Sequence, residues 1–376
     1  MKVLEPRGAH LTYCTNVHAG ESLADVRDVL TTLVPEVKRR VSPKANFGVG
    51  LRLAAQAANE LDAPAALEAM SDLLANQGLY VFTLNGFPYG AFHATRVKEG
   101  VYLPDWLDER RLAYTRSLAT VLATLLPEGM TGSISTVPGA FAPRAATSGA
   151  PRAIAQQLAR SAAELVRLER ETGKPIALAL EPEPACLLET SAQAVRFFED
   201  ELWSDDVLAT FGGLTGLAGD AAEAALRRHV GICLDACHGS VEFERPRDAL
   251  AALRVFDDGV YLHQTVVKTA AGELHRYVDL PDALARDGSH GAGAEWRVHF
   301  HVPVFESRLG PFSSTQDELT DLLIEAPSLA SHLEVETYTF DVLPPEYRNS
   351  SVTEAVAREL TWTLGMLARR SSRNDV

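Results

Sequence analysis

The sequence has no apolar run long enough to cross a membrane. A spanning helix needs about 18–20 consecutive apolar residues, and the 376-residue chain contains no such stretch. Its first residues, Met1 to His10, carry Lys2, Glu5 and Arg7 where a secretory signal would be apolar. We therefore expect a cytoplasmic protein with no membrane insertion. Basic residues are also scarce: 35 Lys and Arg stand against 50 Asp and Glu, a formal net charge of −15. Such a surface repels duplex nucleic acid, and no Lys/Arg cluster of the kind nucleic-acid binders use interrupts it. Nucleic acid is excluded as a partner on that ground. Four cysteines are too few for a disulfide scaffold. Cys233 and Cys237 lie four apart, which is not a CxxC redox or zinc spacing, so the thiols read as buried and free. No repeat of fixed period and no dividing linker is present. A single domain over residues 1–376 is the expectation.

What is present is an alternation of short apolar runs with longer helical patterns, which argues for a parallel sheet wrapped by helices. The candidate strands are Leu11–His18, Phe47–Leu53, Leu79–Gly86, Gly132–Val137, Ile176–Glu181, Val230–Asp235, Val260–Val266, Val298–Val304 and Leu333–Tyr338. Several are continuously apolar, as strands buried on both faces should be. Amphipathic stretches lie between them: Ser22–Val41, Trp106–Leu126, Pro151–Glu171, Ala192–Leu202, Pro246–Val255, Thr315–Ile324 and Thr353–Leu367. The resulting fold class is α/β, a (β/α)8 TIM barrel. One strand is surplus, and Val260–Val266 is the choice, because it can form a hairpin with Leu274–Leu280 across Ala270-Ala271-Gly272. Val298–Val304 is then the seventh barrel strand, and the alternative swaps the two. Pro138–Gly149, Phe211–Asp220 and Ala270–Glu295 read as loops. Gly213, Gly216 and Gly219 echo a phosphate-binding spacing, but no strand precedes them, so they read as a flexible loop.

Nearly every candidate strand runs into a polar residue: His18, Asn85 with His93 close behind, Glu181, Asp235 with His238, His301 and Glu336. A charged group directly after an apolar run is costly to bury unpaired. In a barrel these ends meet at one face, where active sites lie. A lone acid at a strand end is often just a helix cap, and a lone His18 or His93 is more often a hydrogen-bonded structural residue. His299 and His301 are alternate residues and so share a face. Six such strand ends together point to a divalent metal as the common partner.

At these residues the sequence resembles the xylose-isomerase-like TIM barrels, the superfamily of sugar isomerases, ketose epimerases and endonuclease IV. Leu178-Ala179-Leu180-Glu181-Pro182, followed by Leu187-Leu188-Glu189-Thr190, resembles the ketose epimerases' fifth strand, whose Glu binds metal. Leu234-Asp235-Ala236-Cys237-His238 resembles the sixth strand's Asp-x-x-His, and Val335-Glu336-Thr337-Tyr338 the eighth strand's Glu. The whole chain more closely resembles the EboE family of metabolite-traffic proteins, over Leu11–Glu21, Thr83–His93, Leu180–Pro184, His299–Pro303 and Leu333–Tyr338. One departure stands out: the family has a further strand between the Asp-x-x-His strand and the Tyr-Leu-His-Gln segment, here Tyr261–Gln264, and this sequence lacks it.

The resemblance implies a metal-dependent isomerase or epimerase acting on a small polyhydroxylated or cyclitol-like metabolite, with other proteins of the same operon as partners. Glu181, Asp235 and Glu336 would hold the metal (Mn, Mg, Zn or Co), with His263, Gln264 or a histidine of the 299/301 pair completing the set. Glu181 and Glu336 would shuttle a proton between adjacent carbons. His238 would assist them, and His18, Asn85, His93, Glu183, His299 and His301 would contact substrate. Two rival expectations are a metal-dependent phosphoester hydrolase, like endonuclease IV, and a binding protein that kept the barrel without the chemistry.

Overall fold

The computed structural model describes residues 1–3, 8–91, 93, 98–241, 263–291, 293–348 and 350–371. Its strands are β1 (Lys2–Val3), β2 (Ala9–Tyr13), β3 (Phe47–Arg52), β4 (Leu79–Asn85), β5 (Gly132–Thr136), β6 (Ile176–Leu180), β7 (Val230–Ile232), β8 (Thr265–Lys268), β9 (Leu274–Tyr277), β10 (Glu295–Val298), β11 (Arg308–Leu309), β12 (Phe312–Ser313) and β13 (His332–Val335). Strands β3-β4-β5-β6-β7 form a parallel sheet in chain order. Strand β13 pairs parallel to β2, and a parallel bridge from Cys14 to Gly50 joins the end of β2 to β3. The parallel order is thus β13-β2-β3-β4-β5-β6-β7, first and last strands of the chain brought together as a TIM-type barrel requires. The chain is an α/β protein of this class.

Helices pack outside this wall. The helix Leu23–Val41 starts on a capping box: the Asp25 N–H donates to Ser22 Oγ at 3.2 Å, and the Ser22 N–H donates to Asp25 Oδ2 at 2.9 Å. Its Leu30, Val34 and Val37 are fully buried against the sheet. The helix Ala150–Thr172 stops at Gly173, whose φ of +71° is a left-handed cap that suits glycine. Gly50 meets a different demand: a β-carbon there would lie 1.7 Å from Glu334 Oε2, so only a glycine lets that side chain cross β3.

Several expectations need correction. The helices Ala55–Leu61, Pro64–Gln77, Asp205–Thr215 and Asp220–His229 were not anticipated. The loop expected over Phe211–Asp220 is instead helix punctuation: Gly213 lies inside a helix, Gly216 caps it and Gly219 precedes the next. The hairpin expectation holds, since β8 pairs antiparallel with β9. But β10 also pairs antiparallel with β8, so this part of the chain forms its own three-stranded sheet. Val298–Val304 is therefore not a laddered barrel strand among the described residues. Its ladder ends at Val298, the His299 N–H still follows β8 by donating to Gln264 O, and Pro303 has no N–H to offer a neighbour. The expected helix Pro246–Val255 and residues Val260 to Leu262 lie outside the described residues.

The loop after β4 is pinned from behind by a buried cation. Arg111 is fully buried and donates to three backbone carbonyls: Pro104 at 2.7 Å, Gly86 at 2.7 Å and Phe87 at 3.1 Å. Burial lowers its pKa to about 10, which leaves it charged at neutral pH. Replacing it removes donors from carbonyls with no water to turn to. We expect Arg111→Met to cost about 3 kcal/mol in urea unfolding. Arg111→Lys should recover only part of this, since one ammonium does not reproduce the guanidinium fork.

Candidate metal centre

Three carboxylates converge at the C-terminal ends of the parallel strands. Glu181 follows β6, Asp235 follows β7 and Glu336 follows β13. One oxygen of each lies within 4.8 Å of the other two. Such proximity is unfavourable for three anions out of water. Burial, then the charges of Glu336, Asp235 and Glu183, push Glu181 well above the carboxylate range. Glu336 is also raised, chiefly by burial. Burial acts on Asp235 too, but the His238 and His301 charges and the N–H groups of Cys237 (2.6 Å) and His238 (3.1 Å) outweigh it and lower its pKa. Glu336 is steadied by the amides of Asn16 and of Asn85, the latter at 3.2 Å.

Imidazoles flank the triad. His238 Nε2 lies 3.7 Å and His301 Nε2 3.8 Å from Asp235 Oδ2, and His238 Nδ1 is 3.9 Å from Glu181 Oε1. Asp235, His238 and His301 make a second grouping of possible ligands; Glu183, His238 and His299 a third. An oxygen-rich set with imidazoles beside it suits a divalent cation, which would relieve the repulsion among the acids. The residues present fit such an ion.

Two of the three acids, Glu181 and Glu336, line a partly open cavity of about 60 Å³. Glu181, Glu183, Asn85, His238, His301 and Glu336 line it, as do Asn16, Lys98, Tyr102 and Tyr338. Phe87, Pro88 and Val101 supply apolar wall. Asn16 Oδ1 is buried there without a hydrogen-bond partner. Lys98 pairs with Asp279, which ties the insertion after β4 to the end of the small sheet.

The other expected site residues sit elsewhere. His263, expected as a metal ligand, joins none of the histidine, cysteine and carboxylate groupings among the described residues. The His263 ring turns away to place Nδ1 3.0 Å from His299 O and stacks on Phe300. Gln264 stands one layer back: its amide nitrogen donates to Glu183 Oε1 at 2.7 Å and Tyr102 Oη at 2.8 Å, and its oxygen lies 2.6 Å from His299 Nδ1. Both follow from the β8 ladder, which fixes this stretch behind the acids. His18 and His93, expected to contact substrate, are not among the residues lining the cavity. His18 is buried against Tyr13 Oη at 3.1 Å, and burial lowers its pKa to about 4. His93 Nε2 lies 2.5 Å from Asn16 O and so supports Asn16 from behind. Asn16, Tyr102 and Lys98 were missed: Asn16 lies in the short turn Thr15–Val17 after β2 without a charge to mark it, and the other two lie in an insertion with no periodic signal.

No family model matches the chain, and no curated protein does. Among solved structures, a xylose isomerase domain protein from Planctomyces limnophilus is 12% identical, with 97% of this chain and 98% of that one covered and a TM-score of 0.46. The IolI protein with a bound zinc atom is 14% identical, over 96% of this chain and 99% of that one, with a TM-score of 0.42. The probable 3-DHS dehydratase AsbF of petrobactin synthesis from Bacillus anthracis is 12% identical, over 94% and 97%, with a TM-score of 0.42.

A buried acid behind the site gives a stability test. Glu359 Oε1 accepts from the Val304 N–H at 3.1 Å and from Thr337 Oγ1 at 2.5 Å, joining the segment after His301 to the exit of β13. Burial pushes its pKa up to about 7, against an ordinary value of about 4.5, with the Thr337 and Val304 hydrogen bonds opposing. The folded state therefore holds a proton that the unfolded chain releases, so the contribution of this group to stability is fully present below pH ~4.5 and is lost as pH rises through about 7. Glu359→Gln keeps the accepting oxygen and removes the charge. Its unfolding free energy should exceed the parent's on the order of 2–3 kcal/mol at pH 8, with the gap closing by pH 5. Thermal or urea unfolding at both values checks this.

Proposed function

We infer that this protein is a divalent-metal-dependent isomerase or epimerase of a small polyhydroxylated, sugar- or cyclitol-like metabolite. The observation that carries the reading is the meeting of Glu181, Asp235 and Glu336 from three separate strand ends, with Glu181 and Glu336 lining a cavity beside them. Its polar groups are spread around it, as several hydroxyls require, and the orphaned Asn16 Oδ1 is an acceptor for one of them. Phe87, Val101 and Tyr102 would face the carbon skeleton and exclude water.

A divalent ion held by Glu181, Asp235 and Glu336 would supply Lewis acidity toward a substrate carbonyl or hydroxyl. The chain's own groups would do the rest. Glu181 and Glu336 both face the cavity, so either can take a proton from a substrate carbon while the other returns one. Asn16 and Asn85 hold the Glu336 carboxylate in place through its Oε1. Glu183 is fixed by Tyr102 and Gln264, which leaves it to orient substrate. The solved structures named above include a protein with a bound zinc atom, a probable dehydratase and a xylose isomerase domain protein. The finer placement in the EboE family, with operon partners, rests on the sequence stretches alone.

Manganese binding tests the reading. With the free-ion signal followed by electron paramagnetic resonance, the parent chain should remove manganese from solution. The Glu181→Gln/Asp235→Asn double variant should bind it at least about tenfold more weakly. Equal uptake by both would end the assignment.

A further inference from the structure

The carboxylates do not use all the donors assembled at the barrel mouth. Behind them, His299 and His301 are buried, with their Nε2 atoms 3.0 Å apart. What each ring's other nitrogen does decides how that contact must be read. His301 Nδ1 lies 2.7 Å from the backbone oxygen of Glu336, which only accepts, so Nδ1 carries a proton. His299 Nδ1 lies 2.6 Å from the side-chain oxygen of Gln264. That amide cannot be turned round, because its nitrogen faces Glu183 Oε1 and the Pro184 carbonyl, both acceptors. His299 Nδ1 therefore carries a proton too. Both Nε2 lone pairs then point at one another, so the 3.0 Å contact must hold either a shared proton or a metal cation beside it.

The spacing suits such a cation. A tetrahedral ion with bonds of about 2.0–2.1 Å to nitrogen holds two ligand nitrogens about 3.3 Å apart. A third donor is in place: Cys237 Sγ, His299 and His301 each offer one atom within 4.8 Å of the others. Phe300, between the two histidines, brings its carbonyl oxygen 3.7 Å from that sulfur. Fixing both Nδ1 protons on oxygen acceptors is also how proteins orient imidazoles toward a metal. Two imidazoles with a thiolate select a softer ion than three carboxylates do.

We propose that Cys237, His299 and His301 form a second cation site, for zinc or a metal of its class, beside the carboxylate triad and separate from it. His301 lies at the seam, its Nε2 3.8 Å from Asp235 Oδ2. The cysteine enters as the thiolate, its proton passing to solvent as the metal binds. The site does not depend on the isomerase reading, and it gives a role to a thiol whose spacing in the sequence matches no metal motif.

Cobalt(II) reports on it directly, because thiolate ligation produces a charge-transfer band in the near ultraviolet that oxygen and nitrogen ligands do not. Chelator-stripped, full-length protein titrated with cobalt should develop that band. Cys237→Ser should abolish it, His299→Gln should weaken it at least severalfold, and Glu181→Gln/Glu336→Gln should retain it. Absence of the band in the parent chain at cobalt saturation would overturn the proposal without any variant having to fold, and would leave the two imidazoles sharing a proton. A band that survives Cys237→Ser comes from another thiol and would overturn it as well. A band lost together with the two glutamates would show that the ion has no site of its own. The carboxylate reading fails independently of all these outcomes, through unchanged manganese uptake.

Discussion

Three carboxylates are held close together out of bulk water, and the surrounding structure is organised by that electrostatic demand. Each acid leaves a different strand, and each would separate from the others if its support were loose. Glu336 is anchored by two amides, Asp235 by two backbone N–H groups at the start of the helix Ala236–Val241, and Glu181 by burial beneath them. The supports act on position, and the imidazoles act on charge. A bound divalent cation would complete the balance that these groups leave negative.

The same demand explains the layer behind the acids. Gln264 ties Glu183, Tyr102 and His299 into one network and reaches it only because β8 pairs with both β9 and β10. Arg111 fixes the loop that carries Phe87 and Pro88, one wall of the cavity. Lys98, which lines the cavity, pairs with Asp279 and so joins an insertion of the barrel to the small sheet.

Much of this was legible in the sequence, and the reason is local. Glu181 and Asp235 each follow an apolar run directly, so the break in pattern marks both the strand's end and the candidate ligand, while Glu336 closes the alternating run Leu333-Glu334-Val335. What could not be read depends on partners far along the chain. Whether the stretch at Gln264 enters the barrel or a hairpin is settled by β10, some thirty residues later. Asn16 looks like any amide after a strand until Glu336, at the other end of the chain, is placed against it. The helix Pro64–Gln77 was missed for a different reason: its weakly patterned, alanine-rich surface gives periodicity little to act on.

The failure of residues 299 to 304 to join the barrel as a regular strand has a consequence for the site. In an extended strand, residues two apart are separated by about 6.6–6.8 Å and their side chains stand parallel. His299 and His301 would share a face, as their spacing foretold, but as parallel neighbours their rings would not converge. Here the ring centroids are 5.1 Å apart, inclined at 56°, and the Nε2 atoms approach to 3.0 Å. Such convergence needs the backbone to leave ladder geometry between them. It does so immediately after Val298, with Thr339 Oγ1 donating to the carbonyl of His301 and Glu359 taking the N–H of Val304. Side chains thus replace the hydrogen bonds that a neighbouring strand would have made. The irregularity that defeats a strand assignment is therefore what brings two imidazole nitrogens within reach of one ion.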